Sequence, residues 1–171
     1  YYQTTPAEQV LVDNSDPGFS SNGNWQTTNQ KVGWIGENYL EDGTDGTDGE
    51  DVWCRWTPQL DKDGYYDVYL SWPRSRDKAA SYLPVTVQSA DGTAYTTLDQ
   101  TPNDEGTWHK VGTYRFEAGQ EGYVQLAAGG YGRTVADAAR FVYRSSEEPQ
   151  AETEYQVILT HYDNGSPNIV K

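Results

Sequence analysis

Residues 64–72 read GYYDVYLSW, and large apolar side chains alternate with smaller or more polar ones along them. The even positions from Tyr66 to Trp72 would share one face of a strand, whereas Asp67 and Ser71 would share the other. A period of two over eight residues predicts a β-strand with one buried face. Such a strand is stable only within a sheet that a second layer covers, so the stretch predicts a layered β fold.

The rest of the chain repeats this pattern between turn signals rich in Gly, Asp and Pro. Strands are predicted at 10–12, 52–56, 82–89, 93–98, 108–116, 123–128 and 135–143. Residues 19–25 are predicted to form a loop, and the pattern of residues 26–40 is ambiguous. The sequence therefore predicts an all-β fold without helices, an antiparallel β-sandwich that is jelly-roll-like (galactose-binding-like).

Composition and charge agree with this fold class and limit the partners. The 171 residues suffice for one domain, and 14 Tyr and 6 Trp supply bulk that Leu provides in other cores. A net charge of −14 disfavours nucleic acid and anionic lipid as partners. No apolar run approaches the length of a membrane span, so we expect no membrane insertion.

The ends differ in composition from the centre, which predicts a division of the chain. Residues 1–9 are predicted to be a tail, residues 10–144 the β-sandwich domain, and residues 145–171 a linker with a C-terminal strand segment. In that segment YQVILT (155–160) has strand character, and Asn164-Gly165 signals a turn toward a return strand. Because a lone hairpin is marginal in water, this segment is expected to dock on another surface.

Five motifs occur in a characteristic order. They are VDNSDPGFSSNGNW (12–25), WCRWTPQLDKDGYYDVYLSWP (53–73), DGTAYTTLDQ (91–100), GTWHKVGTYRFEAG (106–119) and VADAARFV (135–142). Over roughly residues 10–143 the chain resembles the golvesin-type domain, which is also described as similar to the carbohydrate-binding domain at the end of xanthan lyases. The acidic run 41–51 looks like an insertion into that pattern, and Cys54 stands where a small residue is expected.

The resemblance implies a β-sandwich with a non-catalytic accessory role in an extracellular or cell-surface setting, and it supplies no specific ligand. The start at Tyr1-Tyr2, without Met, is expected of a mature secreted product or an excised module.

The six tryptophans divide into two groups. Those inside the family-like motifs are predicted to pack in the core: Trp25, Trp56, Trp72 and Trp108. The candidates for an exposed platform on which a sugar ring could stack are Trp34, Tyr39 and Trp53. The alternative for these three is partial burial or a contact with protein.

No cofactor is expected, and calcium is the one metal that the sequence makes a candidate. The acidic loop offers Asp42, Asp45, Asp48 and Asp51, although their spacing is not that of an EF-hand and a solvated loop is the alternative. A second candidate pairs Asp13 with Asp137, because the first and last strands of such sandwiches often lie close together. Its alternative is a pair of turn residues bonded to the backbone.

Catalysis has little support. The chain has two histidines, His109 and His161, and it contains no nucleophile-elbow, zincin or zinc-ligand motif. Cys54 is predicted to be a small buried hydrophobic residue. The chain is therefore not expected to be an enzyme, and a hydrolase or lyase remains the remote alternative.

Two non-catalytic functions remain. The first is a secreted binding module that recognises polysaccharide or cell-surface glycan. The second is a structural subunit of an extracellular filament or surface assembly, joined to copies of itself by strand donation. The donated strand would carry Tyr155, Val157, Ile158 and Leu159.

Overall fold

The computed structural model describes residues 8–43, 51–73, 79–102, 106–128, 132–150, 161–163 and 166–168, the last two as backbone. Within these residues every regular element is a β-strand. The strands are β1 (Gln9–Asp13), β2 (Phe19–Asn22), β3 (Gln26–Thr28), β4 (Tyr39–Glu41), β5 (Trp53–Trp56), β6 (Gly64–Ser71), β7 (Leu83–Ser89), β8 (Gly92–Leu98), β9 (His109–Phe116), β10 (Tyr123–Ala127), β11 (Val135–Ala136), β12 (Ala138–Ser145), β13 (His161–Asp163) and β14 (Ser166–Asn168). The described part of the chain holds no helix of the length and apolarity that crossing a membrane requires.

Two main sheets form the layers. One has the strand order β1-β12-β6-β9, and the other has the order β2-β5-β10-β7-β8. A small sheet, β11-β4-β3, and the hairpin β13-β14 complete the described strands. All these strand pairs are antiparallel, which confirms the predicted all-β, jelly-roll-like sandwich.

Strand β6 lies in the middle of the four-stranded sheet, between β12 and β9, as its sequence pattern predicts. Tyr66, Val68 and Leu70 are buried on its inner face. They belong to one hydrophobic cluster with Trp56 and Leu126 of the five-stranded sheet. Successive side chains of β6 therefore point alternately into the core and toward the outer face of the sandwich.

The structure corrects one local prediction and resolves one ambiguous segment. Residues 19–25 were expected to form a loop, but Phe19–Asn22 is a strand that pairs with β5. The ambiguous residues 26–40 contribute β3 and the beginning of β4. In both places the short polar segments show no alternation of apolar and polar residues. They form strands because a neighbouring strand supplies the hydrogen bonds.

Two of the four predicted core tryptophans are fully buried, and a third, Trp25, packs against the edge of the core. Trp56 and Trp72 are buried, and the Trp72 ring stacks on His109 with 4.0 Å between centroids. Trp25 is half-buried, and its indole N–H donates to the Asn22 carbonyl. Trp108 is also half-buried, because its ring lies under the Arg140 guanidinium at the sheet surface.

The outer face of β6 contains a buried carboxylate, Asp67. It accepts a hydrogen bond from Thr113 at 2.6 Å and lies 2.8 Å from the Lys110 ammonium and 3.5 Å from the Arg144 guanidinium. Burial by itself raises the pKa of Asp67, but these hydrogen bonds and charges outweigh it and hold the pKa below its ordinary value of 3.8.

The lowered pKa of Asp67 predicts a specific loss of stability in acid. A depressed native pKa contributes stability above the ordinary value of 3.8, and this contribution disappears as the pH falls through the native pKa. Asp67→Asn should cost about 1–3 kcal/mol at pH 7 and less at pH 2. Urea unfolding at both pH values measures the effect. Asp91→Asn is the control, because its partner Arg115 is 3.7 Å away and the pair is exposed. An equal loss in both variants at pH 7 would contradict this account.

Candidate functional site

The three residues proposed as a sugar-stacking platform do not share one surface. Tyr39 is fully buried, so its ring cannot face a ligand, and the prediction that it lines an exposed platform is wrong. Burial also raises the pKa of its phenol. Trp34 is half-buried against the core, and its ring centroid is 6.4 Å from that of Tyr39. Trp53 lies elsewhere, on the outer face of the five-stranded sheet.

Trp53 is on the outer face because β5 alternates. Cys54 and Trp56 are buried in the core, whereas Trp53 and Arg55 are half-exposed on the opposite side. Burial raises the pKa of the Cys54 thiol far above its ordinary value, with a smaller contribution from the Asp42 charge. The thiol is therefore protonated and inert, and Cys54 is the buried hydrophobic residue that the sequence predicts.

The strand order of this sheet aligns polar and aromatic side chains in one row. Gln125 of β10 is opposite Arg55 on one side and opposite Thr86 on the other, and Thr86 is opposite Tyr95. The row crosses four strands and extends roughly 14 Å at the usual strand spacing. We call this row, together with the two aromatic residues that contact Arg55, the outer strip. Its residues are Trp53, Arg55, Tyr123, Gln125, Thr86 and Tyr95.

Arg55 is held flat at one end of the outer strip. Its guanidinium lies 3.9 Å from the centre of the Tyr123 ring and 4.8 Å from that of Trp53. Its Nε and Nη2 both donate to the Gln125 side-chain oxygen, at 3.0 and 2.7 Å. These contacts fix the orientation of the Arg55 guanidinium.

The other end of the outer strip borders a shallow depression of about 430 Å³. Gln125 and Thr86 line it, and two exposed aromatic residues, Tyr82 and Tyr95, stand at its side. Tyr95 is 79% exposed, which is high for a side chain of its size. Rings exposed beside hydroxyl and amide groups can contact an apolar face of a ligand and its polar edge together.

The polar groups of the outer strip are phenol and threonine hydroxyls, an amide, an indole N–H and one guanidinium. The strip contains no carboxylate, imidazole or thiol, and its one charge is the guanidinium of Arg55. His109 is stacked on Trp72 in the other sheet. The arrangement offers rings and hydrogen-bonding groups that can bind a ligand.

Most of the outer strip was missed by the sequence analysis. Trp53 was a candidate, but the remaining five residues were not. The available signal was the alternation itself, since all of these residues except Tyr95 occupy an outward position next to a buried Cys, Val or Leu.

The structure describes only some of the residues proposed for calcium binding and for assembly. Asp42 is buried and accepts a hydrogen bond from the Thr134 backbone, Asp51 is exposed, and Asp45 and Asp48 lie outside the described residues. Calcium binding by the acidic loop therefore stays a prediction. Asp13 and Asp137 do lie close together, because β1 pairs with β12 and places Asp13 opposite Ala138. The proposed donor residues Tyr155, Val157, Ile158 and Leu159 lie outside the described residues, so strand donation also stays a prediction.

Comparison with known proteins places residues 10–143 under the family described as the Golvesin C-terminal domain. A xanthan lyase from Bacillus sp. (strain GL1) is 38% identical over 138 residues, which are 78% of this chain and 14% of the lyase. The structure of a Paenibacillus xanthan lyase matches with a TM-score of 0.72 and 33% identity, over 80% of this chain and 13% of the lyase. The chain thus spans about one seventh of the lyases that it matches.

A second group of similar structures shares the fold. The structure of a family 35 carbohydrate binding module from an environmental isolate matches with a TM-score of 0.57 and 21% identity. The alignment covers 82% of this chain and 97% of that module, so the two agree in overall architecture over nearly the whole of the smaller domain.

Proposed function

The chain belongs to the Golvesin C-terminal domain family, and from this membership we propose that it is a non-catalytic carbohydrate-binding module that recognises polysaccharide or cell-surface glycan. The observation that carries the proposal is the outer strip, which crosses four strands of one sheet. One exposed ring, two half-buried rings, a fixed guanidinium and hydroxyl and amide groups lie together along it. A carbohydrate presents the matching surface, with C–H faces for the rings and hydroxyls for the polar groups.

Each part of the outer strip has a distinct role in this proposal. Tyr95 offers the largest free aromatic surface, and Trp53 and Tyr123 add ring edges around Arg55. Arg55 donates from Nη1 to a sugar hydroxyl or carboxylate. Thr86 hydrogen-bonds hydroxyls at the centre of the strip. Because the strip lies on sheet strands and not on loops, its residues are positioned before a ligand arrives, which reduces the entropy cost of binding.

The composition of the outer strip supports a non-catalytic role. Glycoside hydrolysis needs a pair of carboxylic acids on either side of the scissile bond, and the strip has none. The chain matches only 14% of the xanthan lyase from Bacillus sp. (strain GL1). A match to so small a part of the lyase supports the role of an accessory domain beside an enzyme that acts on polysaccharide. An extracellular or cell-surface setting is part of the same proposal.

The proposal predicts which aromatic residues matter for binding. Affinity electrophoresis and calorimetry with xanthan and a panel of neutral and acidic polysaccharides should identify a ligand. Tyr95→Ala and Trp53→Ala should each weaken its binding by on the order of tenfold, because each removes one stacking contact. Tyr65→Ala is the matched control, since Tyr65 is on β6, in the opposite sheet.

Two outcomes would refute the proposal. One is that the intact protein binds nothing across a broad panel of polysaccharides. The other is that Tyr65→Ala weakens binding as much as Tyr95→Ala, which would move the site to the opposite sheet. Thermal unfolding of each variant excludes a general loss of structure, and Tyr95→Ala should leave the midpoint nearly unchanged because the ring is 79% exposed.

A further inference from the structure

Strand β8 is a free edge of the five-stranded sheet. The order β2-β5-β10-β7-β8 places it last among the described strands of that sheet, and the backbone hydrogen bonds that the described residues make outside strand pairs include none from β8. It pairs with β7 over seven consecutive residues without a register shift. Because an edge strand uses only every second residue to bond its neighbour, β8 presents a row of free N–H and C=O groups.

Pro84 shows which groups of β8 point away from β7. It is opposite Thr97 and has no N–H, yet the ladder continues on both sides of this pair. The pair is therefore one of those in which the N–H and C=O groups face away from each other. Since such pairs alternate with hydrogen-bonded pairs, the N–H and C=O groups of Thr93, Tyr95 and Thr97 point outward from the sheet edge.

The other edges of the two main sheets have features that oppose the addition of a strand. β9 has a register shift where it pairs with β6, and it carries Lys110 and Arg115. β1 has five residues and ends at Asp13, and β2 has four residues and begins shortly after Pro17. Short strands, charges, prolines and bulges protect sheet edges from pairing. In contrast, β8 has seven residues, GTAYTTL, without charge, proline or bulge.

The outward positions of β8 are the same in both directions along the strand. They are Thr93, Tyr95 and Thr97, and all three side chains are exposed. If a second β8 lies antiparallel beside the first, with one Tyr95 opposite the other, Thr93 of each copy is opposite Thr97 of the other copy. Aromatic pairs and Thr–Thr pairs are among the cross-strand pairs that stabilise antiparallel sheets. The edge is thus complementary to itself.

We propose that β8 pairs with β8 of a second copy of this chain, about a two-fold axis at Tyr95. The two five-stranded sheets then form one ten-stranded sheet. Because each copy uses the same surface, the assembly closes as a dimer. The backbone N–H and C=O of Tyr95 exchange hydrogen bonds with those of the other Tyr95. The Tyr95 ring, which is 79% exposed in the single chain, gains the ring of the other copy as its neighbour.

This pairing joins the outer strips of the two copies. Thr86 is opposite Tyr95 within each chain, so the two rows meet at the Tyr95 pair and run from one Arg55 to the other. The joined row crosses eight strands and spans roughly 34 Å at the usual strand spacing. A polysaccharide that contacts both halves would bind more tightly than one that contacts a single half. This extension rests on the proposed glycan function, whereas the pairing of β8 does not.

Sedimentation equilibrium of the intact chain measures the pairing. An interface formed by one strand pair is small, so we expect a dimer with a Kd of roughly 10–100 μM. Each chain has a net charge of −14, and the proposed register places Asp91 opposite Asp99 of the other copy. Raising sodium chloride from about 0.02 M to about 0.5 M should therefore lower the Kd several-fold, because salt screens this repulsion.

Charges introduced at positions 93 and 97 test the register. In the double variant Thr93→Lys, Thr97→Lys, each new positive charge is opposite another positive charge, so dimerisation should weaken by about tenfold or more at low salt. In the double variant Thr93→Lys, Thr97→Glu, opposite charges meet at both places, and the dimer should be at least as stable as that of the unaltered chain. The second variant is the matched control, because it changes the same two exposed residues.

The same two variants test the joined strip with xanthan and with short oligosaccharides prepared from it. Calorimetry gives, for each variant, the ratio of the affinity for the polymer to the affinity for the oligosaccharide. This ratio should be about tenfold lower in Thr93→Lys, Thr97→Lys than in Thr93→Lys, Thr97→Glu, because only the second variant offers both halves of the strip. The ratio cancels the direct effect of the new charges on an anionic ligand.

The outcomes separate this inference from the glycan proposal. An unaltered chain that stays monomeric up to about 1 mM at high salt would exclude the pairing of β8. Equal dimerisation of the two double variants would mean that the copies meet through another surface or in another register. Equal affinity ratios would show that the two halves of the strip do not act together. A dimer that forms as expected in a protein that binds no polysaccharide would refute the glycan proposal and support the pairing.

Discussion

Trp56→Ala is expected to lower the free energy of unfolding by about 3–5 kcal/mol. Trp56 is 1% exposed and occupies the inner face of β5, where its ring centroid is 5.5 Å from that of Phe19. Its indole N–H also donates to the Asp137 carbonyl at 3.2 Å. The substitution therefore creates a cavity between the sheets and leaves a buried carbonyl without its donor.

Urea unfolding followed by circular dichroism measures this loss without relying on tryptophan fluorescence. Trp53→Ala is the matched control on the same strand, because Trp53 faces outward and contacts Arg55 in the outer strip. It should cost no more than about 1 kcal/mol. Trp53→Ala should impair glycan binding with little loss of stability. Equal destabilisation by the two variants would mean that the assignment of the inner and outer faces of β5 is incorrect.

The alternation of side chains was sufficient to predict the centre of the fold. In β6, Tyr66, Val68 and Leu70 are buried in the core as the period of two requires. The same reasoning located β5, β7 and β8 to within one or two residues. These strands could be predicted because each has its own hydrophobic face, so the local pattern and the tertiary packing agree.

Residues whose environment depends on distant partners were not predictable in the same way. β2 reads FSSN and has no apolar period, but it becomes a strand by pairing with β5. Tyr39 was a candidate for an exposed sugar-stacking platform, yet its neighbours cover it completely. The sequence of a short segment does not show which strand will lie beside that segment. The environment of residues such as Tyr39 is therefore known only from the three-dimensional structure.

The outer strip shows the same limit for a functional site. Arg55 and Gln125 are opposite each other in the sheet, but 70 residues separate them in the chain. Trp53 could be proposed from its position beside buried Cys54, whereas Tyr95 and Thr86 could join it only once the order β5-β10-β7-β8 was known. Sequence alone therefore predicts that outward aromatic residues exist, and the strand order determines which of them form a site.

A second large effect is expected at Gln100, a buried polar residue in the segment after β8. Its side-chain nitrogen donates to the Val135 carbonyl at 2.6 Å, and its side-chain oxygen accepts from the Val135 N–H at 3.0 Å. Gln100 thus makes with the backbone of Val135 in β11 the pair of hydrogen bonds that a neighbouring strand would make. Gln100→Leu has a similar volume but leaves both backbone groups unpaired, which should cost about 2–4 kcal/mol.

The control for this prediction is Gln88→Leu, because Gln88 is half-exposed on the β7–β8 hairpin and should cost less than about 1 kcal/mol. Hydrogen exchange of the Val135 amide gives a local readout, and Gln100→Leu should accelerate it more than exchange in β6. The same variant should leave polysaccharide binding unchanged, because Gln100 lies outside the outer strip. Unaltered protection of Val135 in Gln100→Leu would contradict the view that this side chain replaces a strand.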